Sequence, residues 1–206
     1  MTTRSPARSA SKAPIGVLSA SGQGRGCRFS PLSKGLSARD SLSTVVTPAY
    51  VRVIQFVAAV GVCLVAAAVG SLFTTPAIPT WYATLIKPAL NPPSWVFGPV
   101  WTVLYILMGI ALYLVWIKGW NNKNVRVAMA IFSVQLILNV LWSYLFFELQ
   151  SPFLALIEIV LLWIAILMTI LAFYRVSVPA AVLLIPYILW VTFASYLNYG
   201  IYILNP

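Results

Sequence analysis

The sequence predicts an all-α integral membrane protein, a bundle of five transmembrane helices, and two observations carry that expectation. Of 206 residues, 61% are apolar and only 8% charged, with a mean hydropathy of +0.94, whereas a soluble chain averages roughly 45–50% apolar and about 25% charged. Apolar blocks of 21 to 26 residues recur five times after Tyr50, each long enough for the ~20 helical residues that cross a ~30 Å hydrocarbon core. In such a medium a single segment satisfies its backbone only as a helix.

Residues 1–49 stand apart. They hold 10 of the 17 serines and 7 of the 13 Lys and Arg, with one acid, Asp40. An Arg-rich, Ser-rich, acid-poor start has the composition of an organelle transit peptide, and equally that of a plain disordered tail. Its basic residues are dispersed and Phe29 is its one aromatic, so no nucleic-acid partner is expected.

The transmembrane region, 50–206, is read in order. Helix one covers 53–73 and contains Ala66 and Gly70, a small-xxx-small pair that serves a close helix contact or a dimer seam. Segment 74–94 is long, polar at intervals and carries Pro76, Pro79, Pro88, Pro92 and Pro93, which marks it as a candidate lid. Helix two covers 95–117, helix three 127–147, helix four 153–173 and helix five 178–203. Asn91 before Pro92, Ser151 before Pro152 and Ser177 ahead of Pro179 each pair a capping residue with a first-turn proline. Pro186 inside helix five removes one backbone bond and is a potential kink.

Five crossings put the termini on opposite sides. One side collects the tail charges with Arg52, Lys118, Lys123, Arg126 and Arg175, and the other has Lys87 alone, so the positive-inside rule places the N-terminus on the insertion side.

The chain has no His and two Cys, Cys27 and Cys63. Histidine zinc sites, Ser-His-Asp triads and disulfide frameworks therefore have no residues to be built from, and neither a metal nor a conventional enzyme is expected. The eight tryptophans all follow residue 80. Trp81, Trp95, Trp116 and Trp120 lie near span ends, where an interfacial belt explains them. Trp101 with Tyr105, then Gln135, Asn139 and Trp142, then Trp190, Ala194, Leu197 and Asn198 form stripes at helical spacing. Periodicity alone fits both interhelical glue and the wall of a pocket. Glu158 lies inside helix four and is expected to face the bundle interior, because a carboxyl in lipid costs at least ~2.5 kcal/mol. Glu148, at the end of helix three, is expected to be solvated.

The run Trp81-Tyr82-Ala83-Thr84-Leu85-Ile86-Lys87-Pro88, followed by Asn91-Pro92-Pro93-Ser94-Trp95-Val96-Phe97-Gly98-Pro99-Val100-Trp101 and Leu104-Tyr105, resembles the tryptophan-rich sensory protein/translocator protein (TspO/MBR) family. Gln135-Leu136 with Asn139, Glu158, and Pro186-Tyr187 with Trp190, Phe193-Ala194 and Leu197-Asn198 extend the resemblance in the same order over most of 50–206. It implies a five-helix bundle, often a homodimer, that binds porphyrins such as protoporphyrin IX and, in animal members, cholesterol and benzodiazepine-type drugs. By resemblance the ligand residues are Trp81, Tyr82, Trp95, Trp101, Tyr105, Asn139, Trp142, Trp190, Ala194 and Leu197, to which Gln135 and Glu158 are added as polar contacts. No cofactor is required. Some members are reported to promote light-dependent porphyrin breakdown, for which Trp101 and Trp190 would be the reactive side chains. Haem iron would need Cys63, a Met or a Tyr as axial ligand, so metal-free porphyrin is expected to bind at least as well. The animal sterol motif needs a basic residue after the tyrosine near the end of helix five, and no Lys or Arg follows Tyr199 or Tyr202; sterol remains the alternative ligand, and a scaffold role the alternative function. The basic tail points to a eukaryotic organelle membrane, mitochondrial or plastid, with the ER or Golgi as the alternative.

Overall fold

The computed structural model describes residues 48–206, and the transit-peptide and tail expectations lie outside the described residues. Helix α1 spans Ala49–Ala77 and α2 is a single turn, Trp81–Thr84. A 3-10 turn, Ser94–Val96, leads into α3, Phe97–Trp116. Helix α4, Lys123–Ser143, ends in a π-helical turn, Tyr144–Glu148. Then follow α5 (Pro152–Tyr174), α6 (Val178–Val182) and α7 (Ile185–Leu204). Among the described residues, five stretches are long and apolar enough to cross a membrane, the last formed by α6 and α7 together. The protein is therefore a multi-pass integral membrane protein.

Several boundaries depart from the sequence reading, each for a local reason. Helix α1 continues past Phe73 because Pro76 lies in its last turn, where its missing N–H forfeits one bond rather than a ladder. The lid segment is correspondingly shorter, and α2 lies within it. Asn91 does not cap a helix: its amide oxygen accepts from the Tyr82 hydroxyl (2.9 Å) and its nitrogen donates to the Pro92 carbonyl. Helix α4 starts at the polar residues before Val127, with the Asn122 side chain accepting from the Asn124 amide. Ser151 does cap α5, through the Leu154 amide, whereas Ser177 precedes α6 without a side-chain cap. Pro186 is not a kink in a continuous helix. It occupies the first turn of α7 after a break at Leu183 and Leu184, a position where a proline costs no hydrogen bond.

Helix α1 packs on α3 and α4, α5 packs on α4 and α7, and α6 packs on α3 and α5. Stacked Phe132 and Phe173 join α4 to α5, and the Trp163 indole donates to the Thr192 hydroxyl between α5 and α7. The outward faces are apolar, with Leu72 71% exposed, Ile137 68% and Leu189 63%. Surfaces of that kind belong against acyl chains rather than water. The backbones of α1 and α3 come close at Gly109 of α3, where a Cβ would stand 2.6 Å from the Val60 Cα of α1. Gly70 is buried beside Ser143 of α4, with a Cβ position 3.3 Å from the Ser143 hydroxyl. Of the two roles open to the Ala66/Gly70 pair, Gly70 thus serves close contact inside the bundle.

Gly109→Ala forces α1 and α3 apart and is expected to cost about 1–3 kcal/mol, the usual range for overpacking. Gly61→Ala, where a Cβ meets nothing within 4 Å, should leave the melting temperature in detergent unchanged or raise it, since Ala is the better helix former. Equal melting temperatures for the two variants would contradict the close α1–α3 contact.

Candidate binding site

Small side chains on one helix and large rings on the others leave a cavity of about 470 Å³ between α1, α3, α4 and α7, within the ~300–1,000 Å³ typical of small-molecule sites. Helix α1 supplies Ala67, Ala68, Gly70, Ser71, Thr74 and Thr75. Opposite it, Phe97, Trp101 and Tyr105 recur every four residues on α3, and Trp190, Ala194, Leu197 and Asn198 form one stripe of α7. Among the described residues, none that lines the cavity carries a charge.

A chain of buried hydrogen bonds lies at one edge. The Tyr105 hydroxyl donates to the Asn139 amide oxygen. The Asn139 amide nitrogen donates to the Tyr187 hydroxyl (2.8 Å), which in turn donates to the Gln135 amide oxygen (3.0 Å). Three transmembrane segments are thereby joined through side chains that are all at most 5% exposed. The break between α6 and α7 sets Tyr187 at the start of α7, 1% exposed, with Trp101 edge-on to it at 6.3 Å and tilted over Tyr105 at 5.8 Å. Farther along, Asn198 accepts from the Trp142 indole (3.1 Å) and donates to the Pro152 carbonyl (2.8 Å), fixing α4 and α7 to the start of α5.

The π-helical turn closes the opposite edge. Its wider winding lets consecutive residues Phe146 and Phe147 both line the cavity. Trp142 stacks on Phe146 at 5.1 Å, and Tyr82 leans on Phe146 and Phe147 from the lid. Burial pushes the Tyr82 phenol above its ordinary pKa, while its bond to Asn91 acts in the other direction. It is therefore a neutral hydroxyl donor at physiological pH. The lid is held to the C-terminal end of α7 by Asn205, whose amide accepts from the Ile86 N–H and donates to the Ile86 carbonyl, both at 2.9 Å. Pro88 packs against Gly200, where a Cβ would meet its ring at 3.0 Å.

Of the residues expected to bind ligand, Tyr82, Trp95, Trp101, Tyr105, Asn139, Trp142, Trp190, Ala194 and Leu197 line this one cavity. Trp95 is 75% exposed, so a belt position and a place on the cavity wall coincide in it. Three expected residues do not line it. Trp81 packs edge-on against Phe146 at 5.5 Å. Gln135 lies behind Tyr187 as the last member of the hydrogen-bond chain. Glu158 faces the bundle interior, 4% exposed, but α5 contributes nothing to the cavity and neither carboxyl oxygen has a partner among the described residues. Glu148 is exposed, as anticipated. Sequence reasoning missed the α1 wall and the Phe146–Phe147 pair. The run Ala66–Ala67–Ala68 with Gly70–Ser71 was the signal for the first; nothing in the spacing announces a π turn.

The TspO/MBR family model matches residues 59–204. The chain is 50% identical over 155 residues to the tryptophan-rich protein TspO of Chlorobaculum tepidum, an alignment covering 75% of this chain and 98% of that protein. It is 46% identical over 155 residues to the protein of the same name from Archaeoglobus fulgidus, covering 75% and 99%. With the translocator protein of Homo sapiens it shares 42% identity over 136 residues, covering 65% and 80%.

Tyr187→Phe removes a hydroxyl that both accepts and donates, leaving buried Asn139 and Gln135 groups unpaired. It should destabilise the protein by about 1–3 kcal/mol, whereas Glu158→Leu, which removes an already unpartnered buried carboxyl, should be neutral or stabilising in the same melting assay. Asn205→Ala should raise amide deuterium uptake across residues 84–90 while leaving α3 unchanged; uptake identical to the unsubstituted protein would show that the lid is held by other contacts.

Proposed function

The chain belongs to the TspO/MBR family, and on that premise we propose that this membrane receptor or transporter-like protein takes a tetrapyrrole, protoporphyrin IX or a close relative, into the cavity between α3 and α7. The observation that carries the reading is the wall itself: four indoles and three phenylalanines around an uncharged space roofed by a lid. A flat apolar macrocycle gains area burial and ring stacking there, and Trp101 and Trp190 on the cavity wall are the indoles proposed to supply both. Polar contacts come from the unbonded hydroxyls of Thr75, Ser94 and Ser143. The chain has no His to serve as an axial ligand, and this reading has the macrocycle bind by stacking rather than by iron ligation. The basic, serine-rich tail supports delivery to an organelle membrane.

A second reading rests on the same indoles. A bound porphyrin is its own photosensitiser, and an indole beside it is an oxidisable side chain, so light-dependent breakdown of the porphyrin would be lost on replacing Trp101 or Trp190 even at porphyrin concentrations that saturate the weakened site.

Titrating the detergent-purified protein with protoporphyrin IX in the dark, followed by tryptophan quenching, tests the first reading. Saturable quenching is expected, with affinity reduced roughly tenfold in the Trp101→Phe/Trp190→Phe double variant, given about 0.5–1.5 kcal/mol for each aromatic pair. Quenching no greater than in empty micelles would overturn it and turn attention to a sterol or another lipid.

A further inference from the structure

We propose that Lys87 determines specificity at this site by meeting the carboxylate edge of the ligand, so that the protein selects apolar macrocycles bearing acid groups over their neutral counterparts. The inference rests on the tetrapyrrole reading above. The described residues of the cavity wall carry no charge with which to balance an anion, and a carboxylate drawn into an uncharged apolar space without a partner is strongly disfavoured. An acidic ligand must therefore keep its carboxylate edge in water or beside a cation. Lys87 is the only Lys or Arg between Arg52 and Lys118. Its ammonium lies 4.7 Å from the centre of the Tyr82 ring, and Tyr82 lines the cavity.

The placement is built rather than incidental. Tyr82 is fixed by its bond to Asn91, and the residues on both sides of Lys87 are anchored to α7, Ile86 by Asn205 and Pro88 by Gly200. The ammonium makes one hydrogen bond, to the Leu85 carbonyl at 3.3 Å, leaving two of its three donors for a ligand. The acids among the described residues are Glu148 and Glu158, and neither pairs with it. A half-buried ammonium backed by an aromatic face, and with no counter-ion among the described residues, is suited to a carboxylate.

The test compares protoporphyrin IX with its dimethyl ester, which has the same ring without charge, by tryptophan quenching in the dark. The unsubstituted protein should bind the diacid about tenfold more tightly than the diester. Lys87→Gln should bring the ratio close to one, and Lys87→Arg should retain it. Equal affinities in the unsubstituted protein, or a ratio unchanged in Lys87→Gln, would overturn the role of Lys87 and leave the tetrapyrrole reading standing. Saturable binding of neither porphyrin would overturn both.

Discussion

A polar group inside hydrocarbon has no water to fall back on, and the hydrogen-bond chain from Tyr105 through Asn139 and Tyr187 to Gln135 is how this bundle meets that constraint. Each member is buried, and three transmembrane segments contribute to it. Their relative rotation is fixed by the need to keep donors opposite acceptors. Because Tyr187 must reach the bundle interior, the fifth segment breaks at Leu183–Leu184 and restarts with Pro186 in its first turn. The direction that α7 then takes sets Trp190, Ala194 and Leu197 on the cavity wall.

The cavity follows from uneven residue size as much as from helix placement. Gly109 draws α3 tightly onto α1 near Val60, while farther along α1 the small residues Ala67, Ala68, Gly70 and Ser71 leave space that the rings of α3, α4 and α7 border without filling. The same helix thus makes a seam at one level and a void at another. Tyr82 of the lid and the π turn border the space with aromatic contacts, and Asn205 secures the lid from the far end of the chain.

Much of this was legible in the sequence because its physical signal is strong. Five apolar blocks in a chain with 8% charge admit few architectures, and stripes such as Trp190-Ala194-Leu197 lie on one face in any regular helix. Trp101 and Asn139 fall on the cavity by the same logic, whereas Tyr82, which also lines it, is nominated by the family resemblance alone. What spacing could not foresee were departures from regular geometry. The π turn brings Phe146 and Phe147 to one surface, against the 100° separation an α-helix imposes, and the α6–α7 break turns Pro186 from a kink into a helix start. Gln135 and Glu158 illustrate a different limit. Polarity in an apolar helix marks the interior, but it does not distinguish a cavity wall from the packing behind it.

A structure of the protein in lipid nanodiscs with protoporphyrin IX added would reveal whether the proposed ligand occupies the space between α3 and α7. The macrocycle should lie in the cavity with its faces against Trp101 and Trp190. A porphyrin on the lipid-facing surface of α1 or α5, with the cavity walls as they are in its absence, would contradict the account.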